Sequence, residues 1–232
     1  MVTRRLVELE ALRGLAAIVV LIHHLLLAFF PKFHGLRFPQ ELWSLYGTPL
    51  FALVNGSAAV VLFFVLSGFV LTIGAFRDNS YLSLIVGALK RWPRLVVPIL
   101  AVNLISGALA GAGFYWNTAA ASSIGSTWLG AFFKEESGFW QSIGAAAADG
   151  SVLTFIASHD YYNSNLWTMY YEFFGSFACF GIAGAIIGMP RFAWLICASA
   201  VAIAAMAFDP YFICFPAGLS LAYFLPGLRG RF

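Results

Sequence analysis

Hydrophobic positions along the chain gather into six long segments, separated by polar connections and by one long loop. The segments cover roughly residues 12–30, 49–75, 94–113, 167–188, 192–208 and 211–226. A helix needs about 20 apolar residues to cross the hydrocarbon layer of a bilayer. Helices are the expected form, because backbone polar groups in hydrocarbon must bond within their own segment. The pattern predicts an all-α fold, a polytopic transmembrane helix bundle of about six spans with short interfacial helices.

Two connections carry further structure. The segment 80–94 is predicted to be a short helix on the inner membrane surface, with Ser80 as its N-cap and Pro93 at its end. The stretch 114–166 is a long outer loop, in which we expect one or two short helices. Its His159-Asp160 pair is a candidate for binding a sugar, the alternative being a solvated or capping pair. Loops of this length are often functional.

Composition agrees with a membrane protein and excludes an ordinary soluble domain. Hydrophobic residues make up 61% of the chain and charged residues only 10%, whereas soluble domains carry about 25% charged residues. The three cysteines fall in predicted spans without metal or redox spacing. The sequence therefore predicts the lipid bilayer as a partner, with no metal site and no nucleic-acid partner.

The basic residues predict the orientation of the spans. With the N-terminus in the cytosol, ten lie on the inner side: Arg4, Arg5, Arg13, Arg77, Lys90, Arg91, Arg94, Arg191, Arg229 and Arg231. The outer side receives only Lys32, Arg37 and Lys134. Lys and Arg are enriched in cytoplasmic loops, so both termini are predicted to be cytosolic.

The first span contains three ionisable residues, Arg13, His23 and His24. Arg13 and His24 are eleven residues apart, which places them about 20° from a common helix face and about 16 Å apart in depth. His23 lies roughly 80° off that line and is expected to be a packing or tautomer-setting neighbour. Ionisable residues in a span are functional candidates. The alternative is that Arg13 snorkels and the histidines bond to backbone or water.

Glu172 is a second ionisable residue predicted inside a span. It should lie ~10 Å below the outer boundary, while His24 should lie ~12 Å below the same boundary. At matching depth, the carboxylate is expected to pair with His24 and to orient the imidazole and raise its basicity. Ser67 and Gly68, in FFVLSGF, are predicted near the inner boundary, where alone they indicate a small-residue packing site.

Four motifs occur together in a characteristic order. They are Arg13-x10-His24, FFVLSGF at 63–69, KRWPRLVVP at 90–98 and LWTMYYEFF at 166–174. In this combination the chain resembles the membrane acyltransferase 3 family over about residues 8–190. These integral membrane O-acyltransferases transfer acyl groups, commonly acetyl, from coenzyme A to hydroxyls of carbohydrates, lipids or small metabolites. The resemblance implies a single membrane acyltransferase-like domain over 1–232.

The resemblance also implies roles for individual residues. Arg13 and His24 match the essential catalytic pair, and Glu172 matches the acidic residue of the fourth motif. His24 would act as general base toward a hydroxyl-bearing acceptor, or would carry the acyl group transiently. Acyl-CoA would be a co-substrate, with no tightly bound cofactor. The residues expected to contact it are Arg13, Ser67, Gly68, Arg91 and Arg94.

The chain departs from the family pattern in two ways. The fourth motif reads LWTMYYE, where serine and leucine are commoner than Thr168 and Met169. Family members usually have about ten spans, so the chain looks C-terminally shortened: a truncated member, an alternative product or a reduced form. A second copy or a complementing subunit is a candidate partner. The alternatives to an enzyme are an inactive truncated membrane protein acting as a partner subunit, and a small transporter. A transporter typically has inverted repeats with broken helices, which are not evident here.

Overall fold

Helices form every regular element in the part of the chain that the structure describes. The computed structural model describes residues 7–38, 41–133, 138–189 and 209–228. The α-helices are α1 (Val7–Phe29), α2 (Pro31–His34), α3 (Gly56–Asp78), α4 (Tyr81–Gly111), α5 (Asn117–Ile124), α6 (Phe139–Ala148), α7 (Thr154–Ile156), α8 (Trp167–Ile186) and α9 (Cys214–Leu228). Single 3-10 turns cover Pro49–Val54, Leu129–Ala131, Ser164–Leu166 and Pro210–Ile213, and a π-helical turn covers Asp149–Leu153. The predicted all-α fold is confirmed.

Four of the described helices are long and apolar enough to cross a membrane. They are α1, α3, α4 and the helical segment Ser164–Ile186, which contains α8. They correspond to the first four predicted spans. The segment Pro210–Leu225, at the sixth predicted span, is apolar but shorter. The fifth predicted span, 192–208, lies outside the described residues.

The second span begins later than predicted. Residues Pro49–Val54 form a 3-10 turn, and α3 begins at Gly56 rather than at residue 49. Asn55 provides the reason, because its Oδ1 accepts a hydrogen bond from the backbone N–H of Ala58 at 3.1 Å. Such a bond satisfies one of the backbone donors left open at a helix N-terminus.

The predicted surface helix at 80–94 and the predicted span at 94–113 are one continuous helix. Ser80 caps α4 as predicted, with its Oγ 3.4 Å from the backbone nitrogen of Ser83. The predicted stop at Pro93 is wrong, since Pro93 and Pro98 both lie inside α4. Each proline removes one helical hydrogen bond, but helices within membrane proteins tolerate this loss because neighbouring groups satisfy the carbonyls.

The outer loop contains more helix than expected. In place of one or two short helices, it holds α5, α6 and α7 together with 3-10 and π-helical turns. The sequence of α6 ends in four alanines, and alanine has the highest intrinsic helix propensity. The loop is therefore mainly a set of short helices.

The chain divides into two compact units. The first unit is drawn from residues 1–60, 99–154 and 159–166, and the second from 61–98, 155–158 and 167–232. In the first unit, a Cβ on Gly107 of α4 would lie 2.9 Å from the Ser142 carbonyl oxygen of α6. In the second, a Cβ on Gly68 of α3 would collide with the Phe215 carbonyl of α9. Each unit is thus held by helices that approach closely at glycine.

Candidate functional site

His24 lies on α1 in the first unit, with its imidazole half-buried. Its Nδ1 is 2.8 Å from the carbonyl oxygen of Val20, one turn earlier on the same helix. A carbonyl oxygen can only accept a hydrogen bond, so Nδ1 carries the proton. In the neutral ring the lone pair is therefore on Nε2. A histidine that accepts a proton at Nε2 requires this tautomer.

His23 packs beside His24 and is buried, as expected of a neighbour rather than of a second base. The two rings are perpendicular, with centroids 5.2 Å apart. The Nδ1 of His23 lies 2.9 Å from the carbonyl oxygen of Val54. A Cβ on Gly56 would lie 2.6 Å from the His23 ring. The imidazole therefore occupies space that only glycine leaves open at the start of α3.

His34 completes a cluster of three histidines that sequence reasoning missed. It is fully buried at the end of α2, and its Nε2 lies 3.0 Å from Nδ1 of His23. Burial, together with the proximity of His23 and His24, lowers the pKa of His34 from 6.5 to about 4. His34 is thus neutral at neutral pH. Its place is set by Gly35, whose φ of 82° ends α2 in the left-handed region that glycine favours.

Trp128 of the outer loop covers the other side of His24. The two ring centroids are 5.4 Å apart with a tilt of 45°. Ser126 holds this turn against α1, because its Oγ donates to the Leu27 carbonyl at 3.0 Å and accepts from the Leu129 N–H at 3.2 Å. The outer loop therefore contributes directly to the surroundings of the candidate base.

The second unit contains a buried polar cluster around Glu172. The Glu172 Oε1 accepts hydrogen bonds from the Ser67 hydroxyl at 2.5 Å and from Nη2 of Arg91. The Nε of Arg91 is also buried and has no hydrogen-bond partner among the described residues. These three side chains come from α3, α4 and α8. The carboxylate compensates the charge of Arg91 and joins the three helices.

This cluster corrects the predicted depths of its members. Ser67 and Arg91 were expected near the inner boundary and Glu172 in the outer half, but contact between them places all three at one level. The error comes from the helix starts, since α3 begins at residue 56 rather than 49 and α4 at 81 rather than 94. Arg91 accordingly lies about 15 Å along α4 from its first residue.

The other predicted site residues fall into two groups. Gly68 serves the close packing of α3 against α9, and a Cβ on Gly218 of α9 would in turn collide with the Val65 carbonyl. Arg13 and Arg94 are exposed. The pairing of His24 with Glu172 stays a prediction, since the two residues belong to different units. Within the first unit, Val20 already provides the tautomer control that was predicted for Glu172.

His159 of the outer loop pairs with a buried acid, and its role in sugar binding stays a prediction. Its Nδ1 lies 3.1 Å from Oδ1 of Asp149. Asp149 is buried in the π-helical turn, and Thr154 donates to the His159 carbonyl at 2.9 Å. Burial raises the pKa of Asp160. The described residues contain no group of three or more His, Cys, Asp or Glu side chains placed to hold a metal ion.

The family model of the acyltransferase 3 family, described as an acyltransferase domain, matches residues 6–229. The chain belongs to the acyltransferase 3 family. No curated protein and no solved structure matches it.

Membership in the acyltransferase 3 family confirms the resemblance seen in the four motifs. The match extends over nearly the whole chain, from residue 6 to residue 229. The family and the four long apolar helices together place the chain among membrane proteins with an acyltransferase domain.

Proposed function

We propose that this acyltransferase 3 protein transfers an acyl group, with acetyl as the first candidate, from acyl-CoA to a hydroxyl. The acceptor is a carbohydrate, a lipid or a small metabolite at the membrane. The observation that carries the proposal is the Val20–His24 hydrogen bond, which leaves the lone pair of a half-buried imidazole on Nε2. A neutral imidazole is the commonest general base for activating a hydroxyl.

In the proposed step, Nε2 of His24 takes the proton of the acceptor hydroxyl as the oxygen attacks the thioester carbonyl. A C–O bond forms and the C–S bond breaks. The coenzyme A thiolate then takes the proton from Nε2, which returns His24 to its neutral form. The products are an ester and free coenzyme A, and no other reactant is needed. The Nδ1–H group of His24 keeps its hydrogen bond to the Val20 carbonyl oxygen throughout, which stabilises the imidazolium.

Exposed basic residues are the proposed contacts for the coenzyme A phosphates. Arg13 and Arg94 are exposed, and guanidinium groups bind phosphate oxygens in a bidentate manner. Arg91 and Ser67 hold Glu172, and Gly68 packs against α9. We therefore assign these three residues to positioning the helices of the second unit. With both termini in the cytosol, acyl-CoA would be drawn from the cytosolic pool.

The proposal is tested with purified protein in lipid nanodiscs, radiolabelled acetyl-CoA and a panel of hydroxyl acceptors. We expect labelled ester from the wild type and a loss of at least a hundredfold in His24→Gln. Leu25→Ala, an exposed neighbour on the same helix, is the matched control and should remain active. Equal transfer by the wild type and His24→Gln would refute the mechanism. Absence of acetyl-CoA binding would favour the inactive partner subunit. Uptake of an unmodified solute into proteoliposomes that contain the protein would favour the transporter.

A further inference from the structure

The outer loop contains a short apolar helix that packs along the last turns of α4. This helix, α6, has ten residues, and no charged residue lies between Glu136 and Asp149. An apolar helix of about 10–14 residues is too short to cross a bilayer. It is typical of a buried helix or of a segment that enters the membrane and returns. The contacts of α6 with α4 distinguish these two forms.

Three glycines mark the line of contact between α4 and the loop, all within the first unit. A Cβ on Gly111 would lie 2.7 Å from Cα of the first residue of α6, and a Cβ on Gly107 would lie 2.5 Å from Cβ of Ala146. Further along the loop, a Cβ on Gly150 would lie 2.8 Å from Cα of Leu100. As the loop advances, its contact on α4 therefore moves back from Gly111 to Leu100, so the two segments are antiparallel.

These contacts take the loop deep into the layer that α4 crosses. Gly111 and Leu100 are eleven residues apart, a distance of about 16 Å along a helix. At the same levels the other face of α4 carries Val102, Ile105 and Leu109, which are 43%, 64% and 43% exposed. Exposed aliphatic side chains on a span contact hydrocarbon, so a segment packed beside them lies in the same layer. A descent of about 16 Å reaches the middle of a hydrocarbon layer that is about 30 Å thick.

The chain turns at this depth and runs back beside α4. The turn is the π-helical segment Asp149–Leu153, here called the foot. Beyond it, residues 157–163 are not helical, and the Ser106 hydroxyl of α4 donates to the Tyr162 carbonyl at 2.5 Å. Ser106 lies about 9 Å nearer to the outer end of α4 than Leu100 does. The path of the chain, down along α4 and back, is that of a re-entrant segment.

Polar groups gather at the foot. Nδ1 of His159 lies 3.1 Å from Oδ1 of Asp149, and the Thr154 hydroxyl donates to the His159 carbonyl at 2.9 Å. The side chain of Asp149 is only 10% exposed, whereas that of His159 is 50% exposed. Asn103 of α4 adjoins the foot, since a Cβ on Gly150 would lie 3.2 Å from its own Cβ. The Oδ1 of Asn103 is buried and has no hydrogen-bond partner among the residues that the structure describes.

Water accounts for such groups at this depth. Backbone that is not helical occurs inside a bilayer only where it is buried in protein or lines a water-filled cavity. Ionisable side chains inside a membrane face water or a partner, and they are functional candidates. Bound water also satisfies polar atoms that the protein leaves unpaired. The half-exposed ring of His159 and the Asn103 oxygen therefore both indicate water at the foot.

We propose that residues 139–162 form a re-entrant segment that places the Asp149–His159 pair at a water-filled space inside the bilayer. The opposite surface of the segment contacts lipid and continues the lipid-facing side of α4. Val152 of the foot, 45% exposed, contacts acyl chains, and Trp140, 80% exposed at the start of α6, lies at the interface, where tryptophan is enriched. The position of the segment is independent of the orientation of the spans and of any acyl transfer.

The depth of the segment is tested with single cysteines that carry an NBD fluorophore, in lipid nanodiscs. The cysteine-free parent carries three substitutions: Cys179→Ala, Cys197→Ala and Cys214→Ala. Iodide quenches fluorophores in water, and lipid brominated on its acyl chains quenches those in hydrocarbon. We expect iodide to quench Val152→Cys at least fivefold less than Leu42→Cys, the surface control, which is 95% exposed in the first connection. Brominated lipid should quench Val152→Cys most, Trp140→Cys less and Leu42→Cys least.

The water-filled space is tested by the reactivity of unlabelled thiols. His159→Cys should react with a charged methanethiosulfonate at least tenfold faster than Val152→Cys, although both lie at the foot. The reason is that the reactive thiolate forms in water and not in hydrocarbon. Asp160→Cys is the second reporter if His159→Cys fails to fold, because it leaves the Asp149–His159 pair intact. It should react as fast as His159→Cys.

Two results would overturn the proposal. Iodide quenching of Val152→Cys equal to that of Leu42→Cys would place the foot outside the bilayer. Slow reaction of both His159→Cys and Asp160→Cys, in variants that keep the unfolding temperature of the parent, would show that no water reaches the pair. Protection of Val152→Cys from iodide together with fast reaction at residue 159 or 160 supports both the depth and the water-filled space.

Discussion

His24 Nδ1 lies 2.8 Å from the Val20 carbonyl oxygen, so α1 itself determines the tautomer of the histidine that it carries. The carbonyl is part of the helix backbone and cannot be removed by a side-chain substitution. A base built in this way needs no acidic partner to hold its ring, and its Nε2 keeps the lone pair whenever the ring is neutral. The Val20–His24 bond therefore makes α1 a self-sufficient support for the general base that we propose.

His24→Gln should abolish acyl transfer while leaving the fold intact. Glutamine keeps a polar side chain of similar length but cannot accept a proton at neutral pH, and general-base catalysis contributes about 10²–10⁴-fold to rate. We expect kcat to fall at least a hundredfold with the KM for acyl-CoA unchanged. A rise in the KM for acyl-CoA with kcat unchanged, or a lower unfolding temperature, would indicate a structural role instead.

Arg13→Ala and Arg94→Ala should weaken the use of acyl-CoA. Both side chains are exposed, so neither substitution should lower the unfolding temperature. We expect the KM for acyl-CoA to rise about tenfold in each variant, since a lost charged hydrogen bond is typically worth about 1.5–3 kcal/mol. Lys32→Ala is the control, because its ammonium lies on the predicted outer side, 3.5 Å from Glu41. An equal rise in Lys32→Ala would show a nonspecific charge effect.

The sequence predicted the helical class and the first four spans, because hydrophobic length is a direct physical requirement of the bilayer. It misplaced the starts of α3 and α4, since the cap at Asn55 and the tolerance of Pro93 depend on local and tertiary contacts. Ser67 and Glu172 are 105 residues apart and were predicted at different depths because these helix starts were wrong. Their contact was therefore missed.

Only part of the three-histidine cluster could be predicted from the sequence. His23 and His24 stood out in the sequence because they interrupt an apolar span. His34 sits in a short polar connection, where nothing in the pattern distinguishes it from a surface histidine. It is brought to His23 by the reversal of the chain after α1, which ends in the left-handed Gly35. A contact of this kind depends on the path of a turn rather than on periodicity.

Gly56→Ala should disturb the histidine cluster. The added Cβ would lie 2.6 Å from the His23 ring, so the imidazole or the start of α3 must move. Overpacking of this kind costs about 1–3 kcal/mol, and we expect a lower unfolding temperature together with reduced transfer. Gly14→Ala is the matched control, because a Cβ there meets nothing within 4 Å. It should be neutral or slightly stabilising, since alanine favours the helix.

Glu172→Gln should destabilise the second unit by leaving the Arg91 guanidinium buried without its counter-charge. Breaking a buried ion pair by removing one partner typically costs about 3–5 kcal/mol. The double variant Glu172→Gln with Arg91→Met should recover much of this loss, because no buried charge then remains. Asp78→Asn is the control, since its ion pair with Arg77 is exposed and should contribute little. Equal unfolding temperatures for Glu172→Gln and the wild type would contradict the proposed role of the cluster.

His34 should make the protein less stable in mild acid. Its pKa is about 4 in the folded state against 6.5 for an ordinary histidine, so the unfolded chain binds more protons between these values. The free energy of unfolding therefore has its full value above pH 6.5. It declines by about 3 kcal/mol at most as the pH falls toward 4. The measurement is the unfolding temperature from pH 7.5 to 4 for the wild type and for His34→Asn.

His34→Asn removes the titrating group while keeping a polar side chain of smaller size beside His23. It should unfold at a lower temperature than the wild type at pH 7.5, because a buried ring is lost and a cavity is left. Its unfolding temperature should nevertheless change less between pH 6.5 and 4, so that the two curves converge in acid. Parallel curves would assign the acid sensitivity to other groups, with the His159–Asp149 pair of the outer loop as the next to test.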